Sequence, residues 1–102
     1  MSVILYIDTS AVDTARIALE IDGKRYEKTS ESKIMKSQMV LPMIEEILAE
    51  HTVKLTDITA ITVAAGPGSF TGLRVGATVA NILGYLLGIP VNGKKTLAIP
   101  TY

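Results

Sequence analysis

Apolar residues first crowd together at Val3 to Ile7, a short branched run that predicts a strand buried on both faces. Asp8-Thr9-Ser10 ends it. From Ala15 the pattern alternates: Ala15, Ile17, Leu19 and Ile21 fall on one side and Arg16, Ala18 and Glu20 on the other, the period of a half-buried strand. Asp22-Gly23 follows at once as a type I′ hairpin signal, and Lys24 to Ser30 returns as a polar edge strand guarded by its lysines. Between Ser32 and Glu50 the period changes. At 100° per residue Val40, Met43, Ile44, Ile47 and Leu48 share one broad face, with Ile34 and Leu41 at its margin, which predicts an amphipathic helix. Pro42 removes one backbone donor inside it and predicts a kink or a loosened turn.

After Thr56-Asp57, the run Ile58 to Ala65 reads as a central strand that ends in Gly66-Pro67-Gly68. A second helix is expected to begin near Ser69 to Thr71, whose hydroxyls are natural N-caps, and to run to Leu87, with Gly88 as its stop. Ile89 to Asn92 then forms a short last strand, and Lys94 to Tyr102 resembles the start of a third helix cut short by Pro100. A three-stranded meander followed by helix, strand, helix and strand predicts an α/β domain. Short connections and right-handed crossovers favour a mixed five-stranded sheet in the ribonuclease H-like order 3-2-1-4-5 with helices on it.

Composition narrows the function classes. The 102 residues carry 10 Lys+Arg against 10 Asp+Glu, so the chain has no general basic field and independent nucleic-acid binding is not expected. With no Cys, thiol catalysis, thiolate metal sites and disulfides are all excluded. The first eight residues lack a positive n-region, and no apolar run approaches the ~20 residues that span a bilayer, so a cytoplasmic protein is expected. The hydrophobic fraction of 48% and mean hydropathy of +0.36 are high for so short a chain, which leaves apolar surface over for a partner.

The sharpest local feature is the eleven-residue stretch Gly66-Pro67-Gly68-Ser69-Phe70-Thr71-Gly72-Leu73-Arg74-Val75-Gly76 between strand and helix. It has neither the Gly-Lys-Ser/Thr of a Walker loop nor dinucleotide spacing. Free N–H groups at a helix N-terminus can hold an anion, so Gly66, Gly68, Ser69 and Thr71, with Asp8, Thr9 and Ser10 at the first strand's end, are candidate anion or nucleotide contacts. The plainer alternative is a tight turn capped by Ser69 or Thr71, with Asp8 as a turn-former. Along the second helix Gly72, Gly76, Ala80 and Gly84 recur every four residues. Each interior Gly costs roughly 1 kcal/mol against Ala, so the series needs a compensating close approach, either to the sheet or to a partner. The wheel gives two apolar faces, Val75, Val79, Ile82 and Leu86 on one and Leu73, Ala80, Leu87 and the glycines on the other, with Arg74, Thr78, Asn81 and Tyr85 as a polar stripe. On the first helix Met35 and Met39 lie off the main face near Glu46, either as an adaptable contact surface or as core filling. His51 reads as a solvated cap, and without a second His, a Cys or clustered carboxylates no catalytic residues, metal or cofactor are expected.

Ile4-Leu5-Tyr6-Ile7-Asp8-Thr9-Ser10, Leu41-Pro42-Met43-Ile44, the glycine stretch and Gly88-Ile89-Pro90-Val91 together resemble the bacterial TsaB (YeaZ) family of tRNA threonylcarbamoyladenosine biosynthesis. The resemblance implies an N-terminal lobe of the actin-like ATPase (ASKHA) type spanning 1–102, with the family's C-terminal lobe absent. It also implies a non-catalytic scaffold that pairs with a metal-bearing TsaD-like paralogue and a TsaE-like ATPase, or with itself in their absence, and touches tRNA only indirectly. Pairing in that family uses the two helices as half of a four-helix bundle, which makes Met35, Met39, Met43, Glu46, Gly72, Leu73, Gly76, Ala80 and Gly84 the candidate interface residues. The alternatives are an ATP-binding phosphotransferase-like lobe using Asp8 and the glycine loop, or an M22-type peptidase homologue. One departure is Lys36-Ser37-Gln38, where the family commonly has His-Ser, and the two histidines of the catalytic paralogue are missing.

Overall fold

The first apolar run becomes the strand on which the sheet is built. A computed structural model of the chain describes residues 2–10, 14–31, 36–64 and 70–93. Strand β1 (Val3–Asp8) pairs antiparallel with β2 (Thr14–Ile21), Val3 facing Ile21 and Asp8 facing Arg16. Strand β2 pairs antiparallel with β3 (Lys24–Glu31) across a turn in which Asp22 (φ 48°) and Gly23 (φ 90°) both adopt the left-handed region, as a type I′ turn requires. On its other edge β1 pairs in parallel with β4 (Ala60–Val63), giving the order β3-β2-β1-β4.

Two helices, α1 (Lys36–Glu50) and α2 (Phe70–Leu87), cover one face. Helix α1 lies over β2 and β3, α2 lies over β4 and β1, and the two touch each other. Period-2 alternation puts Val3, Leu5, Ile7, Ala15, Ile17, Leu19, Ile61 and Val63 under them, where they meet Val40, Ile44 and Ile47 of α1 and Ala80 and Leu83 of α2 in one buried core. Strand β1 is therefore not buried on both faces, contrary to its continuous apolar run: Ile4, Tyr6 and Asp8 are half-buried on the far side. There the Arg25 guanidinium lies 4.3 Å from the centre of the Tyr6 ring, a cation–π contact that partly shields it. Among the described residues no helix is long and apolar enough to cross a membrane.

Helix α1 continues through Pro42, which sits on its solvent side. It closes with a paired cap: Val53 N–H donates to Leu48 O at 2.9 Å and Thr52 N–H to Ala49 O at 3.2 Å, with Thr52 at φ 55°. Helix α2 stops where Gly88 predicts, at φ 66°, with Ile89 N–H donating to Gly84 O. Strand β4 is shorter than the run Ile58 to Ala65 suggests, because Leu55–Asp57 forms a 3-10 turn, held by the Asp57 carboxylate on Lys54 N–H, and the Thr59 hydroxyl and N–H both donate to Val3 O.

Among the described residues the sheet has four strands, in the first four positions of the expected order 3-2-1-4-5. The expected fifth strand, Ile89 to Asn92, is a single parallel bridge between Val91 and Ile61 on the outer edge of β4. Asn92 (φ 53°) and Gly93 (φ 76°) turn left-handed, and the Asn92 side chain takes over the ladder. Val63 N–H donates to Asn92 Oδ1 at 2.8 Å and Asn92 Nδ2 donates to Val63 O at 3.1 Å. The helix start proposed for Lys94 to Tyr102 lies outside the described residues.

The α1 cap yields a stability prediction. A left-handed conformation costs a non-glycine residue about 1–2 kcal/mol, and a β-branched Thr falls at the upper end, whereas glycine's extra unfolded-state entropy costs only about 0.5–1 kcal/mol. Thr52→Gly is therefore expected to raise the thermal midpoint by a few degrees. A lower midpoint in a thermal melt would contradict the cap.

Candidate functional site

The ridge of small residues on α2 turns inward. A Cβ at Gly76 would stand 2.6 Å from Thr9 Oγ1, 3.2 Å from Val63 Cγ2 and 3.5 Å from Ile7 Cγ2, and one at Gly84 would stand 2.5 Å from Val91 Cγ2. Ala80 between them is fully buried. Gly76 lets the helix backbone settle against the end of β1 and β4, and Gly84 lets it settle against Val91, which offsets their cost in helix propensity. Gly76, Ala80 and Gly84, expected as interface residues, are thus packed inside this chain. Met43, at 3% exposure, is buried likewise, because the apolar face of α1 that it shares with Ile44 and Ile47 lies on the sheet.

The opposite side of α2 is the one left open. Ile82, Tyr85 and Leu86 are 54%, 85% and 70% exposed, and their i, i+3, i+4 spacing makes them neighbours on one helical surface. Val75 and Val79 continue the ridge half-buried, and Leu41 adds an exposed apolar side chain on α1. The helical wheel places Tyr85 in the polar stripe by its hydroxyl, whereas its ring belongs to this apolar surface. The signal for it was its i+3 position after Ile82.

Glu46 is exposed but engaged. Lys28 of β3 reaches across to α1, with Nζ 2.8 Å from Glu50 Oε2 and 3.7 Å from Glu46 Oε2. The hydrogen bond to Glu50 holds the Lys28 ammonium above the ordinary lysine value, helped by the charge of Glu46 and opposed by desolvation. Next to this clasp His51, which the sequence suggested as a solvated cap, is half-buried with its ring centre 4.0 Å from that of Tyr26. Together these contacts tie the C-terminal end of α1 to the edge strand. Met35 lies outside the described residues; Met39 is in α1 and Thr71, Gly72 and Leu73 are in the first turn of α2, with side chains outside the described set.

At the end of β1, Asp8 Oδ1 accepts from both the Ser10 N–H (3.0 Å) and the Ser10 hydroxyl (2.6 Å), the bonds of a turn-former. Thr9 is buried against α2 at Gly76. Asp8 also lines a shallow depression of about 230 Å³ on the face of the sheet opposite α1 and α2, with Tyr6, Arg16, Ala18, Arg25 and Thr62. Gly66, Gly68 and Ser69, the other half of the candidate anion site, lie outside the described residues. Among the described residues no three His, Cys, Asp or Glu side chains come together in a metal-binding group.

Comparison with known proteins places this architecture. A family model described as "TsaD: tRNA N6-adenosine threonylcarbamoyltransferase" matches residues 31–100. The chain is 38% identical over 94 residues to the tRNA threonylcarbamoyladenosine biosynthesis protein TsaB of Escherichia coli, and 34% identical over 94 residues to that of Bacillus subtilis. The chain belongs to the TsaD family and is of the TsaB/YeaZ type. It covers 92% of itself in both alignments but only 40% and 41% of those relatives, less than half their length. YeaZ from Pseudomonas aeruginosa has the same fold, with a TM-score of 0.84 at 34% identity over 89% of this chain and 42% of that one. Thermus thermophilus RuvC, at a TM-score of 0.57 and 10% identity over 89% of this chain and 62% of that one, shares the fold alone. The mixed sheet with helices is thus the TsaD/YeaZ-like, ASKHA-related fold.

Inward packing of α2 sets the sign of a glycine substitution. On an exposed helix Gly→Ala gains about 1 kcal/mol, whereas over-packing a filled core costs about 1–3 kcal/mol. Thr9 is short, stiff and buried, so the clash wins and Gly76→Ala is expected to lower the melting temperature by several degrees. A rise would place Gly76 on an open surface.

Proposed function

We propose that the chain acts in tRNA N6-threonylcarbamoyladenosine biosynthesis as a non-catalytic scaffold subunit, docking through α1 and α2 onto a TsaD-like paralogue. A TsaE-like ATPase joins that pair, and in the absence of both partners the same helices form a homodimer. On this reading the protein is cytoplasmic and meets tRNA only through its partner. Family membership supports the pathway, and the exposed apolar ridge of α2 supports the docking role. Ile82, Tyr85 and Leu86 would lose much of their solvent contact against a facing helix pair, and burying side chains of this size gains roughly 1.5–3 kcal/mol each.

The residues that carry this proposal differ from the small ones on the inner face. Exposed Tyr at 85% with Leu86 beside it has the chemistry of an interface anchor, a large ring with few torsions to freeze. Glu46, fixed by Lys28 at the margin of α1, is a rim residue whose charge orients more than it attracts. Met39 remains a docking candidate by its place in α1.

Binding of the full-length chain to the TsaD-like protein of the same cell tests the proposal. Tyr85→Ala and Ile82→Glu are each expected to weaken it by about thirtyfold or more, with an unchanged circular dichroism spectrum. Thr62→Ala on the opposite face of the sheet is expected to leave binding intact. Unaltered binding in both α2 variants would remove the docking claim.

A further inference from the structure

Asn92 and Gly93 form an Asn-Gly pair, the sequence in which a backbone nitrogen most readily attacks the preceding side-chain amide, because glycine has no Cβ to hinder the approach. Among the described residues, its chain neighbours apart, no atom lies within 4 Å of the position a Cβ at Gly93 would take. The Asn92 carboxamide, however, is engaged on the outer edge of β4, accepting from Val63 N–H at 2.8 Å and donating to Val63 O at 3.1 Å. The Asn92 backbone N–H is also held, donating to Ile61 O at 2.8 Å. The reactive pair is therefore clamped at both its side chain and its backbone.

We propose that Asn92 is a deamidation site gated by the sheet edge, inert while clamped to Val63 and reactive once that edge opens. In the reaction the Gly93 nitrogen bonds to Asn92 Cγ, the Cγ–Nδ2 bond breaks, and ammonia leaves with the proton from the Gly93 N–H. Water then adds across one carbon–nitrogen bond of the cyclic imide to give aspartate or isoaspartate, and no other reactant is needed. Ring closure carries Cγ onto the following backbone nitrogen, so the carboxamide must first leave Val63.

The product cannot re-close the clamp. A carboxylate at position 92 has no donor for Val63 O and sets oxygen against oxygen, leaving a part-buried carbonyl unpaired. Isoaspartate in addition inserts a methylene into the backbone beside the bridge of Val91 to Ile61. Val91 is the side chain that fills the space over Gly84, so the damage reaches the C-terminal end of α2.

Peptide mass spectrometry on the full-length chain, incubated at mildly alkaline pH in native buffer and in urea, tests the gate. Asn92 is expected to convert about tenfold or more slowly in the native protein than in urea. Asn81, followed by the branched Ile82, is the internal control and should stay intact in both. Asn92→Asp is expected to lower the thermal midpoint, and a failure of that variant to fold points the same way. Equal Asn92 rates in the two solutions, no conversion in urea, or an Asn92→Asp melt identical to the parent would each overturn the proposal.

Discussion

A Cβ at position 76 would stand 2.6 Å from Thr9 Oγ1, so α2 can rest on the β1–β4 pair only where residue 76 has no side chain. Gly84 meets the same condition two turns on, where a Cβ would stand 2.5 Å from Val91 Cγ2, and the methyl of Ala80 between them is fully buried, so together the three small residues set how closely the helix packs. Close packing of this kind recovers dispersion contacts that a bulkier ridge would hold apart. It also fixes the rotation of α2 about its axis. With the small residues facing down, Ile82, Tyr85 and Leu86 have nowhere to go but outward.

The rest of the molecule divides around that decision. Helix α1 takes its place beside α2 over β2 and β3, its apolar stripe used up on the sheet and its far end tied to the edge strand by Lys28, Glu46, Glu50 and the Tyr26–His51 stack. A TsaB-type protein that works by docking needs such a firm mount, since a face held in one orientation loses less freedom on binding. The side of the sheet opposite the two helices is chemically different, with arginines, Asp8 and a half-shielded Tyr6 around a shallow depression. The most exposed large apolar side chains among the described residues, Ile82, Tyr85 and Leu86, all lie on α2.

Legibility from sequence followed how local the governing chemistry was. The hairpin at Asp22-Gly23 and the stop at Gly88 were readable because each depends on one backbone conformation that its residue favours. The end of α1 was not, since Thr52 occupies a left-handed position that a β-branched residue seldom takes. Nor was the edge of β4, where among the described residues Val91 makes one bridge and Asn92 imitates a strand with its carboxamide, which no periodicity records. On α2 the wheel separated two apolar faces correctly, yet which one meets the sheet is decided by Thr9, Ile7 and Val63, distant in the chain. Asp8, Thr9 and Ser10 read as one cluster in the sequence, whereas the structure gives Asp8 and Ser10 to a turn and Thr9 to the core.

The central claim is that α2 packs inward through its small residues and docks outward through Tyr85. Because the chain has no cysteine, Ala80→Cys and Tyr85→Cys each introduce a unique thiol, and thiol labelling with and without the TsaD-like partner reads both faces at once. The account predicts that position 85 labels rapidly in the free protein and is protected by the partner, while position 80 stays unlabelled until the protein unfolds. Rapid labelling at position 80 in the folded chain, or labelling at position 85 that the bound partner leaves unchanged, would contradict it.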